Sequence, residues 1–155
     1  MFALGIGNGL RPGELARVEW QDFDFVKKTL RVRGTKTDGA DEVIPLTAFS
    51  EREVTAFWVA QGNPVKGPAW VWRGKRVGSF KKSLAFTAER ANLGAGRRVH
   101  PNMLRHSFAT LAATSGVPLT VAQKIMRHST PTMLLGVYAK AGALAMREGL
   151  DHFPL

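Results

Sequence analysis

"NMLRHSFATLAATSG", residues 102–116, decides how this chain folds. Leu104, Phe108 and Leu111 recur at the spacing of one helical face, Pro101 and Asn102 open the helix, and Gly116 is a natural stop. Asn102 and Arg105 stand three residues apart, so they are neighbours on the surface of that helix. Beyond it, Leu119 to Met126 predicts a second helix with Val121, Ala122 and Ile125 facing inward. After a loop "RHSTP" comes a short helix carrying Tyr138, and "ALAMREGLDHF" (143–153) can form one more.

Toward the N-terminus, Ser79 to Asn92 predicts a basic amphipathic helix, and "AWVW" (69–72) is short and apolar enough for a strand. Trp70 and Trp72 are expected in the core rather than as platforms for stacked bases. Thr47 can cap a helix running to about Ala60, with Ser50 and Glu53 as an alternative capping box. "TLRVRGTKTDGADEVIPL" (29–46) predicts a hairpin: Leu30 and Val32 alternate with Arg31 and Arg33, and Gly34 and Asp38-Gly39 offer turn chemistry. "GLRPGELARV" (9–18) turns at Gly9 and restarts as a helix, with Pro12 in the first turn beside Glu14. The first residues resemble the end of an apolar helix. The expected class is mainly α with a small three-stranded antiparallel sheet, as one domain over residues 1–155.

With 45% hydrophobic and 22% charged residues, the composition is that of a globular chain. No apolar run reaches the roughly 18 residues of a membrane span, so no membrane partner is expected. The absence of cysteine excludes disulfides, thiolate metal sites and a cysteine nucleophile, and it fits a cytoplasmic protein. Four histidines without ligand spacing predict no bound metal. The formal charge is +10, and the stretch from Arg73 to Arg105 holds nine basic residues against one acid, Glu89. Such a concentration is either a solvated basic face or the footprint of a polyanion, most often nucleic acid. Tyr138 is the only tyrosine, and a phenol can be packing or a nucleophile.

The order of "GLRPGEL", a hairpin lysine, "NMLRHSFAT", "MRHS" and a late tyrosine resembles the catalytic domain of the tyrosine recombinase (phage integrase) family, from about Met1 to Tyr138. The resemblance implies cutting and rejoining of double-stranded DNA through a 3′-phosphotyrosyl intermediate, with no cofactor, and self-association on DNA as a tetramer on paired sites in the full-length protein. Residue by residue, Arg11 and Arg105 match the family's arginines, Lys36 the lysine that protonates the leaving 5′ oxygen, His128 a phosphate hydrogen-bond donor and Tyr138 the nucleophile. An arginine suits such a role because its planar fork meets two phosphate oxygens and keeps its proton. His106 matches "LRH" in a structural or supporting role. Glu14 matches an acidic position, where holding Arg11 and ordinary first-turn placement are both open.

Two positions depart from the pattern. Asn102 stands where the family commonly has histidine, and an amide can donate to phosphate but cannot transfer a proton. Arg127 stands where the family has glycine, which changes the loop or adds a phosphate contact. The expected DNA-binding set is Arg73, Lys75, Arg76, Lys81, Lys82, Arg97, Arg98 and Arg127. The family's N-terminal DNA-binding domain is expected to lie outside this sequence. Two rivals accompany this reading: a catalytically weak DNA-binding module, which Asn102 makes credible, and a type IB-like topoisomerase using the same chemistry.

Overall fold

The structure, a computed structural model, describes residues 1–34, 41–93, 98–127 and 132–151, without the side chains of 133 and 144–151. Lys36, Arg97 and His128 therefore lie outside the described residues. Among the described residues seven helices and five short strands follow in order: α1 (Phe2–Gly7), α2 (Pro12–Arg17), a 3-10 turn (Trp20–Asp22), β1 (Phe23–Asp24), β2 (Thr29–Val32), β3 (Glu42–Pro45), α3 (Ala48–Ala60), β4 (Val71–Trp72), β5 (Lys75–Arg76), α4 (Lys81–Arg90), α5 (Pro101–Thr114), α6 (Leu119–Met126) and α7 (Thr132–Asp151). The described architecture is mainly α with a three-stranded antiparallel sheet, as expected.

That sheet has the order β1-β2-β3, with Leu30 opposite both Phe23 and Ile44. Leu30, Val32 and Ile44 are buried while Arg31 and Val43 point outward, so the period-two alternation orients the hairpin. Its third strand is Phe23–Asp24, not residues 69–72. Val71–Trp72 instead pairs with Lys75–Arg76 in a separate hairpin. Arg73 and Gly74 both take positive φ there (49° and 74°), which closes a two-residue turn and leaves β4 its own partner. The two tryptophans diverge accordingly. Trp70 is buried and its Nε1 donates to the Leu15 carbonyl at 2.7 Å, but Trp72 is 71% exposed and not part of the core.

Thr47 caps α3 by accepting from the Ser50 backbone N–H at 3.2 Å. Ser50 itself is buried and donates to the Ala3 carbonyl, so it ties α3 to α1 instead of forming the alternative capping box. A charged cluster fixes the hairpins to the turn after α2. Buried Asp22 accepts from Arg31 and Arg33, while Glu19 accepts from Arg33 and Arg76.

Among the described residues the apolar core has two parts. One gathers Leu4, Leu10, Leu15, Leu30, Val54, Trp70, Phe80 and Leu104; the other gathers Phe108, Ala109, Ala112, Ala122, Met126 and Leu134. Helix α5 runs through both, contributing Leu104 to the first and Phe108 to the second. Arg105 is therefore set at the junction. Leu111, expected on the same face, is 53% exposed, and Val121 is 45% exposed while Met126 takes the inward place on α6. At Gly9 (φ +64°) an added Cβ would lie 2.8 Å from Phe108 and 3.0 Å from Met126, so the backbone packs where a side chain cannot. Tyr138 and the segment after it belong to one helix, α7, rather than two. Gly136 and Gly142 weaken a helix by about 1 kcal/mol each but do not end it, since no proline or αL residue intervenes.

Candidate active site

Arg11 is the N-cap of α2, with φ −68° and ψ 150°, and the turn at Gly9 brings it there. Its backbone N–H donates to Glu14 Oε2 at 2.6 Å, and its Nη1 donates to Glu14 Oε1 at 3.0 Å. Glu14 thus satisfies one of the orphan donors of the helix start and holds the arginine side chain as well. Nη2 of Arg11 donates to the Arg127 carbonyl at 3.2 Å.

Arg105 arrives from α5 and is 6% exposed. Its Nη1 donates to the Gly9 carbonyl, and its Nη2 donates to the Met126 carbonyl at 2.7 Å. The two arginines, remote in sequence, therefore meet consecutive carbonyls at the C-terminal end of α6. Partial negative charge gathers at such an end, which favours cations there. Gly9 is the second anchor, and its lack of a Cβ lets its carbonyl reach Arg105.

Arg127 is the C-cap of α6 in the left-handed conformation, φ 51° and ψ 50°. This conformation costs a side-chain-bearing residue about 1 kcal/mol relative to glycine. Its side chain is 8% exposed and turns inward to an ion pair with Glu14 Oε2, away from the outer basic face. Nη2 of that guanidinium meets Glu14 Oε2 directly, while Nη1 is buried without a hydrogen-bond acceptor among the described residues. Burial alone would push the Glu14 carboxyl up. Arg127 and Arg11 together outweigh that and hold it below its usual value. Two guanidinium groups thus share one carboxylate.

Asn102 is exposed on α5, one turn before Arg105, and His106 is exposed one residue after it. His100 is the N-cap of α5, in extended conformation just before the helix. Tyr138 is not brought to the arginines. Its hydroxyl donates to the Val117 carbonyl at 2.7 Å, its ring packs on the second core cluster, and burial raises its phenol pKa. Among the expected DNA-binding residues, Arg73, Lys75, Lys81, Lys82 and Arg98 are exposed on the β4–β5 hairpin, α4 and the segment after it. Arg76 lies beside them but is engaged, donating to the Arg17 carbonyl and to Glu19.

Sequence reasoning left the role of Glu14 open and did not single out Val117. The spacing of Arg11 and Glu14 signals the first of these contacts, but a carbonyl acceptor has no side-chain signature. Among the described residues no cluster of His, Asp or Glu is arranged to hold a metal ion, and no helix is long and apolar enough to cross a membrane.

Residues 1–143 match the phage integrase family, and the chain belongs to that family. It is 32% identical over 130 residues to the tyrosine recombinase XerA of Thermococcus onnurineus (strain NA1), a match covering 83% of this chain and 46% of that protein. It is 29% identical over 131 residues to the tyrosine recombinase XerC of Chromobacterium violaceum, covering 83% of this chain and 43% of that protein. The chain spans about half the length of the curated relatives it matches. In fold it is similar to a crystal structure of XerA recombinase, with a TM-score of 0.77 at 22% identity over 99% of this chain and 57% of that one. It is also similar to a lambda integrase (75–356) dimer bound to a COC' core site, with a TM-score of 0.62 at 21% identity over 88% of this chain and 50% of that one.

Proposed function

We propose that this chain is the catalytic domain of a site-specific DNA recombinase or integrase that breaks and rejoins strands through a phosphotyrosyl bond. The observation that carries the reading is the convergence of Arg11 and Arg105 on the Met126 and Arg127 carbonyls. Attack on a phosphodiester builds charge on its non-bridging oxygens, and preorganised guanidinium groups lower the barrier by meeting that charge. In this reading Arg11 and Arg105 hold the phosphate, and Asn102 donates a hydrogen bond to it. His128 adds a second donor, Lys36 protonates the departing 5′ oxygen, and the Tyr138 oxygen attacks phosphorus. The bond from phosphorus to the 5′ oxygen breaks as the bond to the phenol oxygen forms, the phenol proton passing to water while Lys36 gives its own to the 5′ oxygen. A 5′-hydroxyl reverses the step.

Tyr138 must leave the Val117 carbonyl to take that part. Its raised pKa opposes spontaneous ionisation, so the arginines must polarise the target strongly. The basic residues Arg73, Lys75, Arg76, Lys81, Lys82, Arg97 and Arg98 are proposed to contact the phosphate backbone of double-stranded DNA, whereas Arg127, turned inward to Glu14, is not. The proposal extends to a tetramer on paired sites, a DNA-clamping domain outside this sequence, and a cytoplasmic location. Relatives about twice as long as this chain support the second of these.

The test is incubation with a nicked suicide duplex, whose short 5′ product diffuses away and leaves any covalent adduct trapped. An adduct that resists denaturation supports the reading. Its absence on duplexes that the protein binds leaves a DNA-binding module. Strand exchange between two duplexes separates a recombinase from a topoisomerase.

A further inference from the structure

We infer that Arg127 is a positioning residue of this site, acting through Glu14 to set how Arg11 is presented beside Arg105. The inference rests on the strand-cleavage reading above. Arg127 reaches Arg11 in two ways: its carbonyl accepts from Arg11 Nη2, and its guanidinium meets the carboxylate that also holds Arg11 Nη1. The adjacent carbonyl, that of Met126, accepts from Arg105. One turn of chain thus registers both arginines.

The backbone does not explain an arginine here, because glycine takes φ 51° more easily. A solvated surface charge does not explain it either, because the side chain is 8% exposed and paired with a buried acid. What the side chain does is share the carboxylate. With Oε2 occupied by Arg127 and by the Arg11 backbone N–H, the Arg11 guanidinium meets Glu14 through Nη1 at Oε1. Without Arg127, Glu14 has a single guanidinium partner and draws the Arg11 fork more fully onto itself, away from an incoming anion. Arg127 and Arg11 together bring two positive charges to the one Glu14 carboxylate.

The test compares the parent with Arg127→Gly and Arg127→Lys in single-turnover cleavage of a nicked suicide duplex at saturating protein, with duplex affinity measured at one salt concentration. Misplacing a charged catalytic group by about 1 Å costs on the order of 100-fold, so Arg127→Gly is expected to slow cleavage about 10- to 100-fold. Duplex affinity should change less than about threefold, and Arg127→Lys should recover part of the rate, because a second cation returns to Glu14. In a Glu14→Gln background the same Arg127→Gly change should cost less than about threefold, since its route is removed. Cleavage by Arg127→Gly at the parental rate, a loss that follows duplex affinity, or the full loss in the Glu14→Gln background would overturn the inference.

If the parent forms no adduct, the cleavage reading fails and the inference is judged by sulfate. The rise in unfolding temperature that sulfate gives the parent should shrink in Arg127→Gly and return partly in Arg127→Lys. An equal rise in all three proteins overturns it.

Discussion

The Tyr138 hydroxyl donates to the Val117 carbonyl at 2.7 Å, joining α7 to the segment that leads into α6. The only tyrosine of the chain is thus held by a backbone acceptor on the second core cluster, while Arg11 and Arg105 meet at the other end of α6. Tyr138→Phe removes one hydroxyl and little volume. It is expected to abolish any covalent DNA adduct while leaving duplex affinity within about twofold, and to cost roughly 1 kcal/mol of stability through the missing hydrogen bond. Denaturing gels and thermal unfolding of the variant check both parts. An adduct that survives places the nucleophile elsewhere.

Asn102→His should raise the cleavage rate. The position is exposed one turn before Arg105, so an imidazole fits without repacking and brings a group able to carry a proton. General acid–base assistance is typically worth about 10²–10⁴-fold, and a gain of roughly tenfold in single-turnover cleavage is expected. An equal or lower rate would show that Asn102 is suited to its site.

Glu14 ties acid stability to the arginine cluster. Its folded pKa lies below the usual 4.5, so its contribution is fully present above that value and is lost as pH falls through the folded pKa. Glu14→Gln should therefore flatten the acid limb of a stability-against-pH profile. It should also cost about 3 kcal/mol near neutrality, because two guanidinium groups lose their counter-charge. Urea unfolding from about pH 3 to 7 spans that window and measures both. An acid limb identical to the parent's would remove Glu14 from this role.

Gly9→Ala meets two obstacles at once, the positive φ and a Cβ 2.8 Å from the Phe108 ring. The expected loss is about 2–4 kcal/mol. The Gly9 carbonyl would shift with the backbone, so Arg105 loses its Nη1 acceptor and cleavage should fall as well. Thermal unfolding that matches the parent would show that the turn yields at little cost.

Lys81→Ala with Lys82→Ala should weaken binding to specific and random duplexes alike. Both lysines are exposed at the start of α4, where pairing with phosphates releases counterions without reading bases. Each phosphate that the variant no longer neutralises should reduce the slope of log K against log salt by about 0.9. Titrations at several salt concentrations test this, and an unchanged slope would take α4 off the DNA surface.

What the sequence by itself determined is local or ordinal. Apolar periodicity placed α5 and α6, alternation placed β2 and β3, and the order of short motifs carried the family resemblance. These signals are legible because helix and strand periods are properties of neighbouring residues. Only the tertiary structure decided which neighbours meet across long separations. It put Phe23–Asp24 rather than residues 69–72 beside β2, because a two-residue turn gave Val71–Trp72 its own partner. It exposed Trp72 and Leu111, joined the last two expected helices into α7, and turned Arg127 inward to Glu14. It also set the Tyr138 hydroxyl on Val117, a carbonyl that no side-chain pattern announces. Arg11 and Arg105 could each be picked out in the sequence. Their meeting required the packing of Gly9 against Phe108 and Met126, where the absence of a single Cβ lets two helices and a turn share one site.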